Sequence, residues 1–108
     1  ITAMVAPIRK RQNISQKNDI FGRLGGEEFA FILPGCSMII AEDIANKCRK
    51  KIAGIDHLSL GIKDPITASF GVSDVLVSGF ELSNLLADAD SAMYASKEHG
   101  RNCVNCFR

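Results

Sequence analysis

Two short apolar runs, Ile20–Leu24 and Phe29–Leu33, close around the tetrad Gly25-Gly26-Glu27-Glu28. Runs this short, rich in Ile, Phe and Leu and split by a glycine pair, predict a β-hairpin, because glycine supplies the positive φ that a tight hairpin turn demands. The same pair lets a ligand approach the backbone closely. Two adjacent carboxylates on such a turn can hold a divalent cation through oxygen ligands. Backbone access beside a carboxylate-held cation suits a triphosphate, so the turn is a candidate catalytic site. Taken alone, the tetrad fits a plain solvated turn better than a catalytic one.

The remaining elements are read from spacing. Ile1, Met4, Val5 and Ile8 could form an apolar stripe on a first helix reaching about Arg11, with Pro7 near its start or interrupting it. Gln12–Asn18 reads as a polar loop and Pro34-Gly35 ends the hairpin. Ser37 is a suitable N-cap. Beyond it Ile40, Ala41, Ile44, Ala45, Cys48 and Ile52 recur at helical spacing, with Glu42, Asp43, Asn46, Lys47, Arg49 and Lys50 facing away and Gly54 closing the helix. A strand is expected over Ile66–Leu76. A helix comes next, from Leu82 to His99, burying Leu82, Leu85, Leu86, Ala89 and Met93 and stopped by Gly100; Asn102–Cys106 forms a last short strand. Helices among antiparallel strands predict a two-layer α+β fold.

Composition narrows the function. Thirteen basic and twelve acidic residues leave a net charge of +1. With the signs mixed along the chain, there is no footprint for nucleic acid or an anionic membrane surface. No apolar run reaches the length of a membrane span and no signal peptide is visible. Four cysteines without an even framework fit a reducing compartment. Cys103 and Cys106 have the spacing of half a zinc site or a redox pair, which would make the chain a zinc or thiol module.

Three motifs in order resemble the GGDEF domains, the diguanylate cyclases. They are Gly25-Gly26-Glu27-Glu28-Phe29, the strand Ser69-Phe70-Gly71-Val72, and the run Ala87-Asp88 through Tyr94 and Lys97 to Gly100-Arg101-Asn102. The resemblance covers Asp19 to Val104. It implies condensation of two GTP into cyclic di-GMP, with Mg2+ or Mn2+ as cofactor. Two domains would meet as a homodimer, each 3′-hydroxyl attacking the other's α-phosphate. Glu27 and Glu28 would be the metal-binding and catalytic acids, Gly25 and Gly26 the backbone approach to the phosphates, and Lys97 and Arg101 the phosphate contacts; Tyr94 matches a structural position. For Lys97 and Arg101 the residues themselves leave a second reading open, since cations at a helix C-terminus gain about 0.3–1 kcal/mol from the helix dipole without any ligand.

Departures from the family pattern carry their own expectations. The product-inhibition site, Arg-x-x-Asp in many relatives, reads Gln16-Lys17-Asn18-Asp19 here, so inhibition through it should be weak. The family's first βαα unit, with a metal-binding aspartate and guanine-recognising residues, has no counterpart. The chain is therefore expected to be a partial GGDEF domain over residues 1–108, inactive in isolation, with a ferredoxin-like, nucleotide-cyclase-like core lacking its central first strand. The full protein is expected to carry an upstream sensory domain and to act in the cytoplasm, as such or as the cytoplasmic part of a membrane-anchored sensor. A non-catalytic GGDEF module that binds GTP or a partner is the alternative.

Overall fold

In the computed structural model, which describes residues 2–7, 20–25 and 28–108, a five-stranded sheet carries helices on both faces. The elements run β1 (Thr2–Pro7), β2 (Ile20–Gly25), β3 (Glu28–Leu33), α1 (Met38–Ala53), β4 (Ser69–Val72), α2 (Val75–Ser78), α3 (Leu82–Glu98) and β5 (Val104–Cys106). The strand order is β2-β3-β1-β4-β5.

The hairpin forms as its sequence demands. β2 and β3 pair antiparallel from Ile20↔Ile32 to Arg23↔Phe29, and Gly25 pairs with Glu28 after a register shift that leaves Leu24 as an extra residue. Such a bulge bends the strand and re-aims the residues beyond it. Phe21 stacks on Phe29 at 5.5 Å between ring centroids and meets Phe31 at 4.6 Å, joining the strands on one face.

Elsewhere the sheet is parallel, which corrects the antiparallel expectation: β1 runs parallel to β3 and β4, and β5 parallel to β4. The cause lies in the connections. Only a short turn returns the chain antiparallel, whereas α1 and α3 are crossovers of the length that parallel strands require. The N-terminal helix is also corrected. Thr2–Pro7 is a strand bonded on both sides, and a central parallel strand reads as a continuous apolar run with no single-face alternation. It takes the position between β3 and β4 that the resemblance left empty. Residues 8–11 of the expected helix and the loop 12–18 lie outside the described residues.

The two-layer expectation gives way to three layers. Phe70 and Val72 of β4 pack with Ala41 and Ala45 of α1, together with Leu33, Cys36 and Ala68. Gly71 faces the other way, so close to α3 that an added Cβ would collide with Ala89 O and Met93 N. All four β4 residues are buried in consequence. That strand is shorter than expected, because Asp74 caps the one-turn α2 by accepting from the Leu76 amide.

Both main helices obey their sequence signals. The Ser37 hydroxyl accepts from the Ile40 amide at 3.3 Å and starts α1. Gly54 ends it with an ordinary φ of −85°, so its left-handed freedom is not used. α3 buries Leu85, Ala89 and Met93, but Leu82 is exposed and Leu86 half-buried. Tyr94 is 64% exposed, so its position is not a core one.

Candidate active site

Strand register decides which candidate residues can meet. Thr2 pairs with both Glu28 and Ser69, and Phe70 pairs with Val104. The starts of β1, β3, β4 and β5 therefore line one end of the sheet, with Gly25 of β2 at the same level. Strands lie about 4.8 Å apart, which puts Glu28 about 14 Å across the sheet from the start of β5. Arg101 shortly precedes that start, and Lys97 sits in the last turn of α3 beside it.

Face agrees with end. Phe29 and Phe31 point toward α1, so by strand alternation Glu28 stands on the opposite face, which α3 covers. Glu28 is half-buried, Lys97 is half-buried and Arg101 is exposed. Gly26 and Glu27, and Gln16 and Asp19 of the degenerate inhibitory site, lie outside the described residues.

The turn carrying Arg101 has an unusual backbone. Gly100, Arg101 and Asn102 all have positive φ, at 101°, 66° and 47°. Glycine and asparagine adopt this region readily, arginine far less. The Gly100 amide donates to Lys97 O at 3.3 Å and the Arg101 amide to Ser96 O at 2.9 Å, bonds that close the helix C-terminus. The Asn102 amide donates to the Ser69 hydroxyl at 3.2 Å, tying the turn to the start of β4. Behind it a buried polar ladder joins α3 to the sheet, Ser96 Oγ donating to Phe70 O at 2.7 Å and accepting from Asn105 Nδ2 at 2.8 Å.

Sequence reasoning missed two residues here. Helical spacing puts Arg49 on the solvent face of α1, yet it is half-buried, its Nη1 donating to Asn102 Oδ1 at 3.3 Å and its Nε to Asn46 Oδ1 at 3.2 Å. Asn102 was part of a motif without a role of its own. An arginine four residues after the buried Ala45 was the available signal, and its partner lies 53 positions away.

The carboxylate oxygens of Glu27 and Glu28 are the hard donors that a divalent cation of the magnesium class takes. They supply at most part of a full ligand shell, and among the described residues no three His, Cys, Asp or Glu side chains cluster to hold a metal. A cation here would need water or ligand oxygens to complete its shell.

Two other features do not belong to this site. An apolar cavity of about 380 Å3, lined by Phe21, Phe29, Phe31, Cys48, Lys51, Ile52 and Phe70, opens on the α1 face. It offers a triphosphate no bed of polar groups. Cys103 and Cys106, three apart along an extended segment, point to opposite faces. Cys103 Sγ donates to Ser96 O at 3.5 Å beside α3, and Cys106 Sγ to Glu42 Oε2 at 3.2 Å beside α1. That separation removes the zinc or redox-pair reading. Burial, then the Glu42 carboxylate, push the Cys106 thiol up to about 12.

Fold and site define a mixed α/β domain in which Glu28 of the hairpin and the helix-end cations share one end of a sheet. Residues 8–103 match the family described as the diguanylate cyclase GGDEF domain. The chain belongs to the GGDEF family. It is 37% identical over 105 residues to diguanylate cyclase VdcA of Vibrio cholerae, covering 94% of this chain and 31% of that protein. Diguanylate cyclase A of Treponema denticola is 32% identical over 93 residues, covering 86% and 25%. The probable diguanylate cyclase DgcE of Escherichia coli is 29% identical over 92 residues, covering 85% and 8%. The chain thus spans less than a third of the length of each of these relatives.

Proposed function

We propose that this chain is the part of a diguanylate cyclase that holds the triphosphate of GTP, in a protein that condenses two GTP into cyclic di-GMP and releases two pyrophosphates. The observation that carries the reading is the common end and face of the sheet shared by Glu28 and the C-terminus of α3 with Lys97 and Arg101. The hairpin acids and the helix-end cations can then approach one nucleotide from two sides.

Phosphoryl transfer asks a protein chiefly for positioning and charge neutralisation. Lys97 offers a point charge to a phosphate, and Arg101 a planar fork able to engage two oxygens. Gly25 and Gly26 would let the phosphates lie against backbone amides. Glu27 and Glu28 would hold magnesium or manganese, which when bound neutralises phosphate charge and lowers the pKa of the attacking 3′-hydroxyl. Glu28 would support that metal or accept the hydroxyl's proton. A second copy would bring the other GTP, so turnover should depend on the meeting of two domains.

In the same reading the chain is a partial GGDEF domain. Its relation to the ferredoxin-like cyclase core rests on the succession hairpin, α1, β4, α3 with β1 in the central place of the sheet, and the remaining metal and guanine ligands would come from elsewhere in the protein. An upstream sensory domain and a cytoplasmic site of action belong to this proposal too. No helix among the described residues is long and apolar enough to cross a membrane.

The test is GTP turnover by the natural protein carrying this chain, in Mg2+ or Mn2+. Glu27→Gln should lower kcat by about 100-fold or more, as loss of a transition-state charge contact does. Lys97→Gln and Arg101→Gln should chiefly raise KM for GTP. GTP binding without cyclic di-GMP formation in the unaltered protein would make the non-catalytic regulatory module the correct reading. Added cyclic di-GMP should inhibit weakly, because Gln16 cannot make an arginine's charge-assisted contacts. Potent inhibition abolished by Asp19→Ala would refute that point.

A further inference from the structure

We propose that Arg49 is a positioning residue for Arg101, acting through Asn102. Its consequence for the nucleotide rests on the cyclase reading above, whereas the strut itself rests on geometry alone. Arg101 stands in a left-handed conformation that arginine seldom adopts, between two other residues of positive φ. Such a backbone persists only when its surroundings over-determine it. Upstream, the closing bonds of α3 hold Gly100 and Arg101. Downstream, Asn102 is held at both ends, its amide on the Ser69 hydroxyl of β4 and its side-chain oxygen on the Arg49 guanidinium of α1. Asn46 takes the other edge of that guanidinium, one turn back on the same helix. The planar fork can serve both amides at once, which a lysine cannot.

The two contacts of Asn102 draw α1, β4 and the α3–β5 turn to one point, although α1 and α3 lie on opposite faces of the sheet. Arg49 itself is directed at Asn102, so its charge steadies the turn and Arg101 is left to face solvent at the site. Loss of Arg49 would free the Asn102 side chain and let Arg101 relax toward the ordinary right-handed backbone, moving its guanidinium away from the phosphates.

The experiment is a double-mutant cycle in the natural protein carrying this chain, with a non-hydrolysable GTP analogue as probe and amide hydrogen exchange as a second readout. Arg49→Gln should weaken analogue binding about tenfold, the scale of one hydrogen bond to a charged group. Arg49→Gln added to Arg101→Gln should weaken it no further, because a strut that acts through Arg101 has nothing left to position. Asn102→Gly, which keeps the left-handed backbone but removes the acceptor, should reproduce Arg49→Gln and add nothing to it. In both variants the Arg101 and Asn102 amides should exchange at least about tenfold faster, by local opening of the turn.

A full extra loss from Arg49→Gln in the Arg101→Gln background overturns the proposal and makes Arg49 a direct phosphate contact. Unchanged exchange at Arg101 and Asn102 overturns the strut. If the unaltered protein fails to bind the analogue, the cyclase reading falls, and the exchange rates alone decide whether Arg49 holds the turn. Should Arg49→Gln not fold, Asn102→Gly with the same readouts decides.

Discussion

Cys106 is a residue whose behaviour is set by its neighbours. Burial opposes ionisation of its thiol, and the Glu42 carboxylate to which it donates adds to this, so its pKa rises from 9.0 to about 12. The protonated form is favoured in the folded chain. The contribution to stability is therefore complete below about pH 9 and is lost as pH climbs from there toward 12, because the unfolded chain ionises first. Urea melts of the wild type should weaken across that interval more steeply than those of Cys106→Ala. At pH 8 the same thiol should alkylate more slowly than a free cysteine, since the thiolate is the reactive form; mass spectrometry after timed labelling reads this. Arg101 shows the opposite case, a side chain left in solvent on a backbone that must be held for it.

Elements differ in how plainly they announce themselves. α1 does so locally: Ser37, the Ile40 to Ile52 spacing and the polar stripe between them lie within one stretch of chain. Ser37→Ala should cost about 1 kcal/mol, the usual worth of a lost N-cap, and a thermal or urea melt would show it. The hairpin was legible for the same reason, its turn and both apolar strands being contiguous. β1 was not, since apolar residues at 1, 4, 5 and 8 satisfy helical spacing while Thr2–Pro7 equally satisfies a strand buried on both sides. Partners tens of residues away settled it. Arg49 was misjudged on similar grounds, for nothing nearby in the chain reveals Asn102. The motif residues Glu27, Glu28, Lys97 and Arg101 could be named from the sequence, but the shared end and face of Glu28 and α3 needed the register. Gly71 marks a close approach of β4 to α3. Gly71→Ala must push backbone away from backbone, with Met93 Cα only 2.8 Å from the added carbon. The expected loss is about 3 kcal/mol or more, at the severe end of overpacking, measured by urea titration.

At the scale of the whole molecule, the sheet has one strand on which both halves depend. β1 bonds to β3 on one side and β4 on the other, so the hairpin half and the β4–β5 half are joined through it. Met4→Pro would remove a ladder donor in the middle of that strand, where proline is not tolerated. The expected outcome is loss of cooperative unfolding together with concentration-dependent association, as the edges of β3 and β4 become available to other chains. Sedimentation velocity over a range of concentrations tests it, and a monomer that still melts in one step would contradict it.

The same strand sets the order in which the molecule can assemble. Thr2 must wait for Glu28 and then for Ser69, pairings that span most of the chain. Contacts so distant in sequence slow a search that helices complete quickly. While the ribosome is still making β4, the Thr2–Pro7 segment has its partner on one side only. A growing chain would then hold a sticky ribbon at that stage, and refolding from urea should proceed on the millisecond-to-second scale typical of non-local sheets.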